Sequence, residues 1–273
     1  MSITCVAVLC VRNEEAHIRR AIGDFVDQGI DVAIIDHGST DGTADICAAF
    51  LGKGLVSIEH LPWTGEFDLT AQLQAKRVLV DRLAHDWVIH ADADEWMHTR
   101  IQGESLLDGI ERISRLGHNA INFEEFVFLP EPDAVEEPID CKREMLSYYF
   151  FAPQKNRLMR AWRRQQSFNN VSSGGHVLAG AELSLAAESF VLRHYIVLSQ
   201  QQAVRKYANR VFSDGDLKKG WHGNRLGLEA KRLQLPDPAM LERLPDWRSV
   251  DLERADPKTL HFWDWPGADR GVG

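Results

Sequence analysis

Asp92, Ala93, Asp94 and Glu95 put three carboxylates into four positions, shortly after the apolar run Trp87-Val88-Ile89. Carboxylates side by side repel unless a cation or a proton lies between them. A hard divalent ion with an open coordination position meets that need. Hydrophobic residues that break into clustered acids suggest a buried strand delivering them to the rim of a sheet, where open α/β sheets bind ligands. Asp92 and Asp94 lie two apart, so a continuing strand would set them on one face and a turn would converge them. The plain alternative is a solvated acidic turn.

The elements before this stretch favour the first reading. Ile3 to Val11 is almost continuously apolar, as expected of a strand buried on both faces of a parallel sheet. Arg12-Asn13-Glu14-Glu15 follows, with Asn13 a fair helix cap and two acids in the first turn. Ile18, Ala21, Ile22, Phe25 and Val26 then mark one helical face closed by Gly29. Asp31 to Asp36 reads as a second strand, running into His37-Gly38-Ser39-Thr40-Asp41-Gly42-Thr43, where Asp41 or Thr43 could cap the next helix. Leu55 to Ile58 is a third strand, and Leu69 to about Ala84 a helix with Leu69, Leu73, Val80 and Leu83 toward the core. Lys76 and Arg77 on that helix fit either a phosphate contact or a solvated face. This order is the opening of a nucleotide-binding α/β sheet.

Beyond the acids, Ile101 to Leu116 has amphipathic helical spacing, and Ala120 to Leu129 is an aromatic-rich strand. Pro130 to Pro138 is an acidic loop, Arg157 to Trp162 alternates like a strand, and Ser172 to His176 is a turn. Phe190 to Tyr195 is a late strand, and Ser199 to about Phe212 looks helical. The polar, proline-punctuated remainder carries Trp221, Trp247, Trp263 and Trp265.

At 273 residues the chain can form one large α/β domain, or a core domain with an appendage. A net charge of −9 argues against nucleic acid as a partner, while a nucleotide remains open if a metal mediates the contact. Cys5, Cys10, Cys47 and Cys141 lack metal-ligand or redox spacing and read as reduced core residues. No run is long enough to span a membrane and the start lacks signal-peptide regions, so a cytoplasmic enzyme is expected, with peripheral membrane contact left open.

Arg-Asn-Glu-Glu after a strand, then I-I-D-H-G-S-T-D-G-T, then W-V-I-H-A-D-A-D-E-W, in that order and spacing, resembles family 2 glycosyltransferases of the GT-A fold. The later F-V-F-L-P, R-A-W-R and R-H-Y segments are similar to the bacterial branch without membrane spans. The resemblance covers roughly residues 3–210. It implies a mixed, mostly parallel, Rossmann-like sheet flanked by helices with a helical or irregular C-terminal extension, and a glycosyltransferase domain over 1–212. The nucleotide-sugar half would lie at about 1–97, the acceptor half at about 98–212, and an extension at 213–273.

It also implies transfer of a sugar, with inversion, from a nucleotide-diphosphate sugar to a saccharide or glycan acceptor, using Mn²⁺ or Mg²⁺. Arg12, Asn13 and Glu14 match the segment lining the nucleotide pocket, and Asp36 matches an acid that meets the base or ribose. His37 departs from the family's second Asp or Asn and leaves the base open. Asp92, Ala93 and Asp94 match the D-x-D motif that holds the sugar nucleotide and metal. His194, a hundred positions after Asp94, matches a late histidine that completes the metal site.

Chemistry supports this assignment. A cation on Asp94 and His194 would stabilise the leaving diphosphate, Asp92 acting through water or a ribose hydroxyl. A mixed oxygen and nitrogen set suits Mn²⁺ somewhat better than Mg²⁺. His176, after two glycines, is the rival ligand or an acceptor-site residue. Glu125, Asp140 and Glu182 are candidates for the general base of an inverting transfer. Glu95, Arg160 and Trp162 are candidates for acceptor contact, an indole offering a flat face to a sugar. The rival readings are a sugar-nucleotide-forming nucleotidyltransferase, which lacks its glycine-rich phosphate loop here, and a non-catalytic nucleotide- or glycan-binding protein of the same fold.

Overall fold

The computed structural model describes residues 3–134, 137, 140–165, 167–208 and 210–265. The apolar run near the start forms β1 (Cys5–Val11), followed by α1 (Glu15–Val26), β2 (Asp31–Asp36), α2 (Thr43–Phe50), β3 (Leu55–His60), α3 (Leu69–Arg82) and β4 (Trp87–Ala91). β1 pairs in parallel with β2 and β4, and β2 with β3, giving the buried parallel half that the near-continuous hydrophobic strands require. Side-chain alternation along β1 divides the core. Cys5, Ala7, Leu9 and Val11 pack with Ile18, Ile22 and Phe25 of α1, whereas Val6 and Val8 pack with Leu79 and Val80 of α3.

The second half is built from β5 (Glu95–His98), α4 (Leu106–Arg115), β6 (Ala120–Leu129), α5 (Cys141–Glu144), β7 (Ser147–Phe151), β8 (Met159–Arg163) and β9 (Phe190–His194). β8 runs antiparallel between β4 and β6, and β9 lies between β6, in parallel, and β5, antiparallel. The sheet is therefore mixed α/β, parallel where the first acids emerge and largely antiparallel beyond.

Several expected boundaries shift. Asn13 does not cap α1. Its φ is +55° and its Oδ1 accepts from Thr40 N–H at 2.8 Å, leaving Glu14 at the cap position. α4 starts after Ser105, whose Oγ accepts from Asp108 N–H, rather than at Ile101. Asp92 and Asp94 sit on a turn between β4 and β5, not on a continuing strand. α6 (Gln200–Tyr207) stops short of Phe212 because the chain extends and ties Val211 C=O to Phe67 N–H.

Residues after 212 join the core instead of hanging from it. α7 (Asp214–Lys218) is followed by short turns and the two-residue β10 (Glu242–Arg243), which pairs with β7. Phe262, Trp263 and Trp265 share a buried cluster with Val127, Tyr149, Ile196 and Tyr207. Trp263→Ala is expected to cost about 3–5 kcal/mol in urea unfolding, as for other buried aromatic truncations. A loss below about 1 kcal/mol would mean that the segment is only draped on the surface.

His98 on β5 is buried, accepts from Arg193 Nε–H at 3.0 Å and lies 2.7 Å from Thr99 C=O. Burial first, then the neighbouring guanidinium, pushes it down to about 3. The folded form thus holds a neutral ring that the unfolded chain protonates near 6.5. Its contribution is fully present above that pH and is lost as pH falls from 6.5 toward 3. The expected loss from this ring alone is about 1 kcal/mol between pH 6.5 and 5.5, read as a fall in melting temperature that is shallower by that share in His98→Gln, the other buried neutral histidines, such as His176 and His261, contributing the rest. An unchanged slope in the variant would exclude His98 as the source.

Candidate functional site

A cleft of about 1160 Å³ opens where β1 and β4 end. Arg12, Asn13, Glu14 and Glu15 line it from the end of β1, and Asp92, Ala93, Asp94 and Glu95 from the end of β4. Gln72, Leu73 and Lys76 of α3 form one wall. Glu125, Arg157, Arg160 and His176 form another, and residues from Gln202 to Arg225 close the third.

The acidic turn is held by local bonds. Glu95 Oε2 accepts from Asp92 N–H at 2.9 Å, and Arg20 donates to the carbonyls of Ala93 (2.8 Å) and Glu95 (3.3 Å). Burial, opposed by Arg160, raises the Glu95 carboxyl to about 7. Asp92 faces two cations, Lys76 at 3.6 Å and Arg160 at 3.3 Å. Lys76, open between solvent and phosphate in the sequence, is buried, and its Nζ donates to Ala91 C=O at 3.0 Å. It holds the end of β4 and balances Asp92.

Strand register brings His194 to this turn. Glu95 is the cross-strand partner of His194, and Tyr195 N–H donates to Asp94 C=O at 2.8 Å. His194 Nε2 lies 3.4 Å from Asp94 Oδ2, and Nδ1 lies 2.7 Å from Glu125 Oε1. Lys206 Nζ donates to the same Asp94 Oδ2 at 2.6 Å, and Arg157 pairs with Glu125. Burial disfavours a charged His194, but Asp94 and Glu125 outweigh it and hold the ring well above its ordinary range. The Asp94 carboxyl, which burial would raise, is held well below its range by Lys206 and His194.

Among the described residues no three His, Cys, Asp or Glu side chains form a complete metal-binding group. Asp94 and His194 nonetheless suit a divalent ion. Their 3.4 Å spacing is close to the roughly 3 Å between neighbouring ligands of one ion, and Mg²⁺-type sites take one or two carboxylates plus substrate phosphates. Glu125 on Nδ1 supplies the carboxylate brace common to histidine ligands.

Four expected site residues fall elsewhere. Asp36 lies outside the cleft lining and its Oδ1 accepts from Ser39 N–H at 3.2 Å, so it braces the turn after β2. Trp162 is buried and meets His90 edge-on at 4.6 Å. β8 runs antiparallel to β4, so Arg160 reaches the rim while Trp162, opposite Val88, lies back in the sheet. Asp140 caps α5 through Lys142 N–H. Glu182 is exposed on a turn at φ +61°. Glu125 alone of the three candidate bases faces the cleft, with its oxygens engaged by Arg157 and His194. His176 does line the cleft, 3.4 Å from Arg157 Nη1, and burial lowers it to about 3, so its ring is neutral.

Sequence reasoning missed Lys206, Arg157, Arg210 and Arg225. No motif marks them, although all four are basic residues close to a strand or helix end.

Acids, a histidine and cations thus gather at the rim of a mixed α/β sheet, where open α/β sheets bind their ligands. Residues 6–117 match the family described as glycosyl transferase family 2. The chain is 31% identical over 96 residues to an uncharacterized glycosyltransferase of Rickettsia typhi, a match covering 35% of this chain. It is 28% identical over 89 residues, 32% of this chain, to the lipopolysaccharide core biosynthesis glycosyltransferase LpsC of Rhizobium meliloti. The matches span 30% of the length of each relative. Among solved structures, S. aureus TarS aligns at a TM-score of 0.45 and 11% identity over 85% of this chain and 42% of its own, a likeness too loose to argue from. Among the described residues no helix is long and apolar enough to cross a membrane.

Asp94→Asn leaves Lys206 and His194 facing a neutral amide. It is expected to destabilise the chain by about 1–3 kcal/mol, the cost of stranding hydrogen-bonded charge. Adding Lys206→Met should restore part of that loss. A single variant that melts like the wild type would show that the pair does not hold the cleft together.

Proposed function

We propose that this chain is a metal-dependent glycosyltransferase that moves a sugar, with inversion, from a nucleotide-diphosphate sugar to a saccharide or glycan acceptor. The observation that carries the reading is the meeting of Asp94 and His194 at 3.4 Å, inside a cleft large enough for a nucleotide sugar, with Glu125 behind the histidine. The family 2 match over the first half of the cleft agrees with it.

Arg12, Asn13 and Glu14 line the nucleotide end, where the Arg12 guanidinium lies 4.0 Å from the Trp63 ring centre. Asp92 reaches the donor through water or a ribose hydroxyl, and the Ala93 backbone lines the floor beside it. Asp94 and His194 hold the cation, Mn²⁺ or Mg²⁺, which when bound supplies positive charge for the leaving diphosphate. Glu125 orients His194 instead of acting as base, because Arg157 and His194 already occupy its oxygens. Arg160, Glu95 and His176 form the deep wall that receives the acceptor. Relatedness to an enzyme named for lipopolysaccharide core biosynthesis supports a bacterial surface glycan as acceptor class.

The test is thermal stabilisation by UDP, GDP, ADP and CDP and their sugars, each with Mn²⁺, Mg²⁺ or chelator. Native-state binding at a hundredfold excess over Kd adds about 2.7 kcal/mol of stability. A shift with one nucleotide that needs the metal, and that disappears in Asp94→Asn, is the expected result. Stabilisation by no nucleotide under any condition would overturn the proposal.

A further inference from the structure

Nearly every cation in the cleft is already matched. Lys76 faces Asp92, Arg157 pairs with Glu125, Arg160 with Glu95, Arg205 with Glu137 and Lys206 with Asp94. Arg12 donates to the carbonyls of His37 and Gly38. Arg210 and Arg225 differ. Both line the cleft, and among the described residues neither has an ion-pair partner or a side-chain hydrogen bond.

Ring faces hold them in place. The Arg210 guanidinium lies 4.1 Å from the centre of Phe67, and that of Arg225 lies 5.6 Å from the centre of Tyr207. Lys206 Nζ lies 5.7 Å from the same Tyr207 ring. Burial and the charge of Arg225 push Arg210 below its ordinary range, while Glu14 and Asp94 act on it only from beyond ion-pair distance. His222 stacks on Phe212 at 4.7 Å and is neutral at pH 7, lowered by burial and then by both arginines to about 4, so it adds no charge.

The wall that carries these groups is anchored. Phe67 N–H donates to Val211 C=O, and Ser213 N–H donates back to Phe67 C=O, both at 2.9 Å. Asp216, fully buried, accepts from Leu69 N–H at 2.6 Å and so fixes the segment to the start of α3. Two guanidinium groups held together without an acid repel each other, and an anion between them removes that repulsion. A fixed pair is also already oriented, so little freedom is lost on binding.

We propose that Arg210 and Arg225 form a preorganised clamp for the diphosphate of the donor. The inference rests on the proposed reading of the cleft as a nucleotide-sugar site. It assigns diphosphate recognition to a wall that lies beyond the family 2 match at residues 6–117. The metal site and the clamp would then hold the same diphosphate, one through a cation and one through guanidinium hydrogen bonds.

Calorimetric titration with inorganic pyrophosphate, with UDP, GDP, ADP and CDP, and with the parent nucleosides tests the clamp, each in Mn²⁺ and in chelator. Arg225→Ala and Arg210→Gln are each expected to weaken pyrophosphate and the bound diphosphate about 10- to 100-fold, the size of lost charge-assisted bonds, and to leave the nucleoside unchanged. Arg82→Ala, which removes an exposed pair with Glu59 outside the cleft, serves as the control. If Arg210→Gln melts early because Phe67 loses its stacking partner, Arg225→Ala and Arg210→Lys decide the question. Diphosphate and pyrophosphate affinities within twofold of wild type in both arginine variants would overturn the clamp and leave the transferase reading standing. Pyrophosphate binding that is lost in Arg225→Ala, without binding of any nucleotide by the wild type, would leave an anion site and overturn the transferase reading. A wild type that binds neither pyrophosphate nor any nucleotide would overturn both.

Discussion

Charge balance among the buried groups of the cleft is the constraint on which the rest of this structure depends. Asp94 and Glu125 are buried, and a buried carboxylate is costly unless a cation and hydrogen bonds satisfy it. The molecule answers with an alternating line of charge, Lys206, Asp94, His194, Glu125 and Arg157, in which each group touches the next. A second line, Lys76, Asp92, Arg160 and Glu95, runs beside it. Removing one member exposes its neighbours to an unmatched charge, so these residues constrain one another as strongly as the hydrophobic core constrains the sheet.

That constraint explains the mixed sheet. The parallel half brings the ends of β1 and β4 to one rim, but cannot by itself supply the opposing cations. The antiparallel strands do so. β8 returns beside β4 and places Arg160 against Asp92, while β9 inserts between β5 and β6 and sets His194 between Asp94 and Glu125. Packing then serves electrostatics. The cluster of Tyr149, Tyr207, Phe262 and Trp263 holds α6 in place and with it Lys206.

The clamp proposed on Arg210 and Arg225 follows the same rule. Where a group in the cleft is charged and matched, it shapes the site. The two guanidinium groups unmatched among the described residues are the ones with capacity for a ligand. Segments after 212 take part in the cleft as well as the core, through Trp221, His222, Arg225 and His261.

The local half of this protein was legible in its sequence. β1, β2, α3, β4 and β6 follow from apolar runs and helical spacing, because burial on two faces or one leaves a pattern within a few residues. The acidic turn was legible for the same reason, since Asp92, Asp94 and Glu95 are neighbours in the chain. His194 was reached only through resemblance to a family, and Lys206, Arg157, Arg210 and Arg225 not at all. The partners of Lys206 and Arg157 lie dozens of residues away, the Arg210 and Arg225 side chains meet only rings among the described residues, and such long-range contacts leave no periodic trace in either segment. Trp162 lies back from the rim because sequence specifies which residues a strand contains but not how far along the sheet its neighbour places them. Local pattern therefore determined the elements and the acids. Register and packing, which depend on the whole chain closing on itself, decided which cations those acids would meet.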